Sequence, residues 1–255
     1  MTSIHHAAAE GFSKQAEAYA RGRPEYPAAL LPWLTEAFGI EPAHQLLDLG
    51  AGTGKFTRLL AQTGARVSAV EPVDAMRAQL TQALPDVAAL PGTAESIPLP
   101  DASLDVVVCA QAFHWFSTLA AMREIHRVLK PGGKLALVWN VRDESVDWVA
   151  EITRLITPYE GDAPRFYKGE WRRVFPAPGF GPLREHRLPY LHSGPPERVI
   201  LDRILSVSFI AALPADEQMH VRDALLKLIA THPALAGRSE VHFPYSTVIY
   251  HCVRE

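Results

Sequence analysis

From residue 45 onward, two spacings of hydrophobic residues alternate along the chain. Short apolar runs at Gln45–Leu49, Arg66–Val70, 87–90, Leu104–Ala110 and 135–139 are bounded by glycine, proline or acidic residues and have the length of strands. Between them, apolar residues recur three and four apart at 55–63, 73–84 and 117–129, which predicts helices. Gly64 stops the first helix, and Lys130-Pro131-Gly132-Gly133 closes the third, whose stripe is Leu119, Met122, Ile125 and Leu129. Strands that are apolar throughout, alternating with helices, predict parallel pairing in a sheet covered on both faces. Upstream, 10–20 has helical spacing in Phe12, Ala16 and Tyr19, and a second helix is expected over 28–38. The segment between them, from Tyr19 to Pro27, is dense in aromatic rings and arginine. It has two readings: a solvated linker, or a flap from which Tyr19 or Arg23 reaches a bound carboxylate. Downstream, 183–191 and Val241–Val253 read as late strands, with helical patterns at 197–209 and Ala215–Thr231 between them. The second of those helices carries Val221, Leu225, Leu228 and Ile229 on one face.

The first strand runs into Asp48-Leu49-Gly50-Ala51-Gly52-Thr53-Gly54-Lys55, a turn that leads into a helix. Glycine there permits a sharp bend and lets a ligand press against bare backbone. A phosphate-cradling loop requires Gly-x-x-x-x-Gly-Lys and then Ser or Thr. Here the glycine spacing is shorter and Phe56 follows Lys55, so no hydroxyl is placed for magnesium. A dinucleotide turn requires a third small residue where Lys55 stands. A third reading, Asp-x-Gly-x-Gly-x-Gly, resembles the first motif of class I S-adenosylmethionine-dependent methyltransferases. A glycine turn that only joins strand to helix is the plain alternative.

In parallel sheets of this kind, ligands bind at the carboxyl ends of the strands, where the winding reverses. Those ends carry polar or ring-bearing groups. The first strand ends in Asp48 and the glycines. The second ends in Glu71, about twenty residues on, where a carboxylate can take both hydroxyls of a ribose. Ala94-Glu95 follow the third, Gln111 and Phe113-His114-Trp115-Phe116 the fourth, and Asn140 the fifth. Each has a bland alternative: Glu71 as a helix cap, Glu95 as a solvated loop acid, Met76 as core instead of a thioether on an adenine face. Their joint placement favours a site.

Taken in order, Asp48–Gly54, Glu71, Gly92–Glu95 with Ile97-Pro98-Leu99, Asp105–Ala110 and Leu129–Gly133 resemble the small-molecule class I methyltransferases of the type 11 set. Phe12, Tyr19, Arg23-Pro24-x-Tyr26-Pro27 and Phe113–Phe116 resemble a narrower subgroup, the trans-aconitate methyltransferase-like enzymes. The resemblance covers 10–140 and fades beyond Asn140. It implies an α/β Rossmann-like fold: a mostly parallel seven-stranded sheet with an antiparallel edge strand, helices on both faces and a helical lid. It implies a division into a cap or flap at 1–40, an S-adenosylmethionine-binding core at 41–142, and a part at 143–255 that carries the lid and the last two strands. It implies that Gly50 and Gly52 contact the cofactor through their backbone, Glu71 the ribose and Ala94-Glu95 the adenine, with Gln111 near the methionine moiety; the reading of the residues adds Tyr19, Arg23, Asp48, Ala51 and Met76 to the cofactor site, with Asp48 near the amino group.

Composition narrows the class further. The chain has 255 residues, of which 48% are hydrophobic and 21% charged, an ordinary globular balance. A net charge of −3 argues against a broad nucleic-acid footprint. Two cysteines, Cys109 and Cys252, make no disulfide framework. The first residues lack a basic region followed by an apolar core, and no apolar run reaches the ~18 residues of a membrane span. A soluble, cytoplasmic monomer or homodimer is expected, without membrane or nucleic-acid partners. None of the eleven histidines has a metal-ligand spacing, so no metal is expected.

Methyl transfer is an in-line displacement, and the protein's part is alignment and exclusion of water. His114, just after the fourth strand, is the candidate general base; its alternative is a histidine bonded to backbone. His114, Trp115, Trp139, Tyr159 and Trp171 are candidates for the acceptor pocket, with Phe166 as a further ring; packing is the alternative for each. Arg142, Arg165, Arg172 and Arg173 could hold an acidic acceptor or form a solvated face. The expected activity is methyl transfer to oxygen, nitrogen or carbon of a small molecule, with a carboxylate or hydroxyl a plausible acceptor. Two alternatives stand beside it: a cofactor-binding protein that transfers nothing (a regulator or cyclisation scaffold), and a nicotinamide-dependent oxidoreductase.

Overall fold

A computed structural model of the chain describes residues 22–255. Tyr19 and the expected helix over 10–20 lie outside the described residues. The first described helix, α1 (Leu30–Phe38), buries Leu30, Leu34 and Phe38 and ends at Gly39, whose left-handed backbone returns its N–H to Thr35 and Glu36. It begins later than expected because the chain first turns at Pro27, whose carbonyl accepts from the Leu30 N–H at 2.9 Å.

Then come β1 (Gln45–Leu49), α2 (Lys55–Ala61), β2 (Arg66–Val70), α3 (Asp74–Ala83), β3 (Ala88–Leu90), β4 (Leu104–Ala110), α4 (Leu119–Val128) and β5 (Leu129–Arg142). After these come α5 (Asp147–Ile156), β6 (Arg184–Gly194), an irregular helical stretch at 197–211, α6 (Ala215–Thr231) and β7 (Val241–Val253). The seven strands form one sheet in the order β3-β2-β1-β4-β5-β7-β6. β1 to β5 pair in parallel, while β7 runs antiparallel to both β5 and β6. The winding goes outward one way from β1 and the other way from β4, so the switch point lies between these two strands.

Side-chain alternation explains why the strands are apolar throughout. Leu47, Leu49, Val107, Cys109, Leu135, Leu137 and Trp139 bury one face of the sheet against α4. Leu46, Val106, Val108, Ala136 and Val138 bury the other against α1 and α2. A third core joins α5, the 197–211 stretch and α6 to the far end of β7 through Trp148, Ile152, Val199, Ile204, Leu225 and Phe243.

Two expectations change. Thr118 caps α4 by accepting the Ala121 N–H at 3.0 Å, so Leu119 takes the first position and is 53% exposed. Leu129 is already strand, and the buried stripe is Ala121, Met122, Ile125 and Val128. β5 is longer than the apolar run predicts. It pairs with β4 from Leu129 onward through a register shift, and with β7 as far as Arg142.

Candidate functional site

At the carboxyl ends of β1, β2 and β4, beside the switch point, lies a cavity of about 250 Å³. The glycine turn forms its floor. Gly50, Gly52 and Gly54 have φ of 74°, 58° and 84°, the left-handed region open to glycine. The N–H groups of Gly50 and Ala51 both donate to the Val70 carbonyl, which ties the turn to β2. A Cβ at Gly50 would stand 2.8 Å from the Cβ of Ala112, so the chain passes too close there for any other residue.

Glu71 anchors one wall. Its Oε2 accepts the Gly52 N–H at 2.8 Å and its Oε1 accepts the Val73 N–H at 2.9 Å. Burial, opposed by those bonds, raises its pKa. A carboxylate has about four lone-pair sites, so two remain for a ligand's hydroxyls. Val73, Met76, Ala94 and Phe116 supply apolar surface, and Glu95 and Thr118 stand at the rim, with the Thr118 hydroxyl donating to Glu95 at 3.3 Å. Gln111 lies on the wall with φ 57°, and its N–H donates to the Val138 carbonyl. Holding a residue with a Cβ in that region costs on the order of 1 kcal/mol.

Asp48 lies under the turn, not on the wall. It is fully buried, and its Oδ2 accepts from the Thr57 hydroxyl at 2.6 Å. Its Oδ1 has no partner among the described residues. Burial pushes its pKa to about 7.

Residues 22–27 lie over the mouth of the cavity. Lys55 Nζ donates to the Arg23 carbonyl and to Glu25, each at 2.8 Å. Asn140 Nδ2 donates to the Glu25 carbonyl at 2.8 Å. Arg23 Nη2 donates to the Ser206 carbonyl at 3.2 Å. Arg23, Pro24 and Tyr26 thereby become lining. The Lys55 ammonium is engaged by this strap, so it is not a phosphate clamp.

A second cavity, of about 100 Å³, adjoins the first, and Arg23, Gln111, Trp115 and Arg203 line both. His114, Trp139, Asn140, Arg142, Glu144, Arg165, Phe166 and Tyr167 also line it. Its charge is mostly positive. Burial and the Arg203 guanidinium lower the pKa of Arg142, and burial with Arg142 brings Arg165 down to about 10. Arg165 is steered by Glu160, 3.6 Å from its Nε, and lies over the Phe209 ring. Arg203 Nε donates to the Tyr245 hydroxyl. The Nη1 atoms of Arg142 and Arg203 are sealed from solvent with no partner among the described residues. Four guanidinium groups, those of Arg23, Arg142, Arg165 and Arg203, at the wall of one cavity suit an anion.

Not every expected residue reaches these cavities. Trp171 is 1% exposed and packs between Trp139 and Tyr250, each with ring centres 4.8 Å away. Tyr159 packs against the third core. Neither lines either of these two cavities, because both rings are taken up in core packing. Arg172 lies over Trp171 and Tyr250, and Arg173 pairs with Glu170 at the surface. Arg203 went unnoticed in the sequence, although a lone arginine within Val199-Ile200-Leu201-Asp202-Arg203-Ile204-Leu205 is itself a signal.

A mostly parallel sheet with a glycine turn and an acid at adjoining strand ends is the frame of proteins that bind an adenosine-bearing cofactor. Residues 47–137 match the family described as "Methyltransferase domain". An uncharacterized methyltransferase of Mycobacterium tuberculosis is 42% identical over 243 residues, covering 95% of this chain and 94% of that one. An uncharacterized methyltransferase-like protein of Schizosaccharomyces pombe is 39% identical over 238 residues, 93% of each chain. Among solved structures, a putative type II methyltransferase from Anaeromyxobacter dehalogenans superposes with a TM-score of 0.63 at 28% identity, covering 91% of this chain and 96% of that one. The chain belongs to the class I methyltransferase family. Among the described residues, no helix is long and apolar enough to cross a membrane, and no group of three or more His, Cys, Asp or Glu is placed to hold a metal ion.

Proposed function

We propose that this chain transfers a methyl group from S-adenosylmethionine to an oxygen of a small anionic acceptor, with a carboxylate the best fit. One observation carries this reading: an acid-and-glycine cavity and an arginine-lined cavity adjoin through Gln111 and Trp115.

The first cavity suits an adenosine that bears no phosphate. Glu71 has lone pairs left for the ribose hydroxyls, and the bare backbone at Gly50, Ala51 and Gly52 allows close approach. Met76 and Ala94 offer a flat apolar face to adenine, with Glu95 at its polar edge. Gln111 and Arg23 are assigned to the methionine portion, and Tyr19, as part of the flap, to the same end. Asp48 acts from beneath, holding the turn through Thr57. When bound, the cofactor supplies an electrophilic methyl carbon. The residues supply alignment and a dry wall, together worth at most roughly 7–11 kcal/mol of barrier.

The second cavity would hold the acceptor. Arg142, Arg165 and Arg203 pair with its negative charge, while Trp115, Trp139 and Phe166 exclude water. In this reading 1–40 forms a cap, 41–142 the cofactor core and 143–255 the acceptor lid. The carboxylate preference agrees with the likeness to the trans-aconitate subgroup. The setting we propose is a soluble, cytoplasmic one, with no nucleic-acid or membrane partner.

Calorimetry with S-adenosylmethionine and its demethylated product tests the first cavity; the expected result is binding with one site per chain. Isotopically labelled cofactor incubated with a metabolite extract, followed by mass spectrometry, tests transfer; the expected product is a labelled methyl ester. Absence of heat with either compound refutes the reading. Binding without any labelled product favours a cofactor-binding protein that does not transfer.

A further inference from the structure

We propose that His114 holds the acceptor as a hydrogen-bond donor, through Nε2–H, and is not the base of the reaction. This rests on the second cavity being the acceptor's chamber. His114 sits in the short turn Phe113–Trp115 after β4 and lines that cavity. Its Nδ1 accepts from the Trp139 indole Nε1–H at 3.0 Å. An indole N–H can only donate, so this contact requires a lone pair on Nδ1. A neutral imidazole has one nitrogen of each kind, and its proton therefore rests on Nε2.

Packing fixes this tautomer. Trp139 is 1% exposed, with Trp171 and Phe166 at 4.8 Å and 5.0 Å between ring centres. The indole cannot swing away from His114 without opening that aromatic core. Among the described residues, no acceptor meets Nε2. A donor at a chamber wall is thus left for a ligand, in a cavity that Arg142 and Arg203 also line.

The surrounding charges act the same way. Arg23, Arg142, Arg165 and Arg203 line the same chamber, against Glu144 and the Tyr167 phenol. Burial first, then Arg165 and Arg23, hold the imidazole's pKa down at about 3. The ring stays neutral near physiological pH.

A general base needs an available lone pair at the proton it removes. The lone pair of His114 is occupied by Trp139. A carboxylate acceptor requires no base. Its oxygen forms the new bond to the methyl carbon as the carbon–sulfur bond breaks. The carboxylate's negative charge and the sulfonium's positive charge disappear together, leaving an ester and a thioether, and no proton moves.

Two substitutions separate this role from its rivals. Gln in His114→Gln can place an amide N–H near the position of Nε2, but it gives up the acceptor for Trp139. Asn in His114→Asn can keep an acceptor for Trp139, but it offers no donor to the chamber. Initial rates are read with labelled S-adenosylmethionine and limiting metabolite extract. The expected result is His114→Gln within about threefold of the parent and His114→Asn down tenfold or more. The reverse order marks a purely structural histidine and overturns the proposal. Comparable losses in both variants, with a parent rate that titrates near neutral pH, mark a base and also overturn it. Nitrogen-15 NMR of histidine-labelled full-length protein needs no turnover. It should show a protonated Nε2 and an unprotonated Nδ1 from about pH 5 to 8; a proton on Nδ1, or titration within that range, overturns the proposal. Because the NMR result is independent of cofactor binding, failure here is distinct from the absence of heat that would refute the methyltransferase reading.

Discussion

Asp48→Asn should raise stability at neutral pH, although it removes the acidic residue of the glycine motif. Asp48 is fully buried, and Thr57, through its hydroxyl, is its hydrogen-bond partner among the described residues. Burial lifts its pKa from 3.8 to about 7. A carboxyl group whose pKa is higher in the folded state favours folding while protonated. That contribution is complete below the unfolded pKa and is lost as pH rises through the folded one. Lifting the pKa by this much corresponds to about 4 kcal/mol at most, since each tenfold change in proton affinity is ~1.4 kcal/mol. Roughly 2–3 kcal/mol of that loss falls between about pH 5 and pH 8, because the unfolded group is already mostly ionised at the lower value. Asparagine has nearly the same shape, can accept from Thr57 and does not ionise. Urea unfolding of the two proteins across this range measures the difference. The parent should weaken relative to the variant by ~2 kcal/mol or more as pH rises, an effect read as a difference so that groups not coupled to Asp48 cancel. Parallel stability curves would refute the claim that a carboxylate is forced to ionise beneath the turn.

Glu71→Gln should weaken binding of the demethylated cofactor tenfold or more by calorimetry, because an amide cannot accept from both Gly52 and Val73 while also meeting ribose hydroxyls. Gly50→Ala should lower unfolding stability by roughly 1–3 kcal/mol and abolish cofactor binding, since the new Cβ would meet Ala112 at 2.8 Å in a left-handed backbone. Arg142→Met should reduce labelled-methyl incorporation tenfold or more, while denaturation shows unchanged or greater stability, because the guanidinium is sealed among like charges.

The sheet was legible because its signals are local. Strand-length apolar runs and turn residues placed β1, β2, β4 and β7 at their observed bounds, and Glu71 and Gln111 reach one cavity. The second cavity was only partly legible. Arg142 lies on a strand extension created by pairing with β7, which no apolar run announces. Arg203 enters from a stretch more than sixty residues away, and long-range packing alone brings the two together. Tyr159 and Trp171 resembled pocket rings by type, but an aromatic residue reads alike in the sequence whether it faces a ligand or a core. The 197–209 pattern reads as one helix, yet it folds with wide turns and a break at Ser206–Val207, which presents Arg203 inward while Val199 and Ile204 fill the third core.

These irregularities share a place. Gln111 adopts a conformation usually left to glycine, Asp48 is an acid shut off from solvent, Arg142 and Arg203 each hold a sealed nitrogen with no partner among the described residues, and the His114 Nδ1 is taken up by Trp139. Each of the first three disfavours the fold by itself; the same kinds of defect also occur away from this rim, at Ala102 with φ 46° and at the unpartnered buried nitrogens of His186, His192 and Arg254, but nowhere else among the described residues are so many lined up. Folding alone gives no reason to gather such penalties along one rim of the sheet. A ligand does. In the proposed reading an anion would pair with the arginines and the imidazole N–H of the second cavity, and a ribose would take the remaining lone pairs of Glu71. Bound ligands should therefore stabilise this protein by more than contact area alone suggests, because they relieve defects the empty fold retains. The two cavities share Gln111, Trp115, Arg23 and Arg203, so filling either one orders a wall of the other. Linkage then requires that cofactor and acceptor strengthen each other's binding by the same factor.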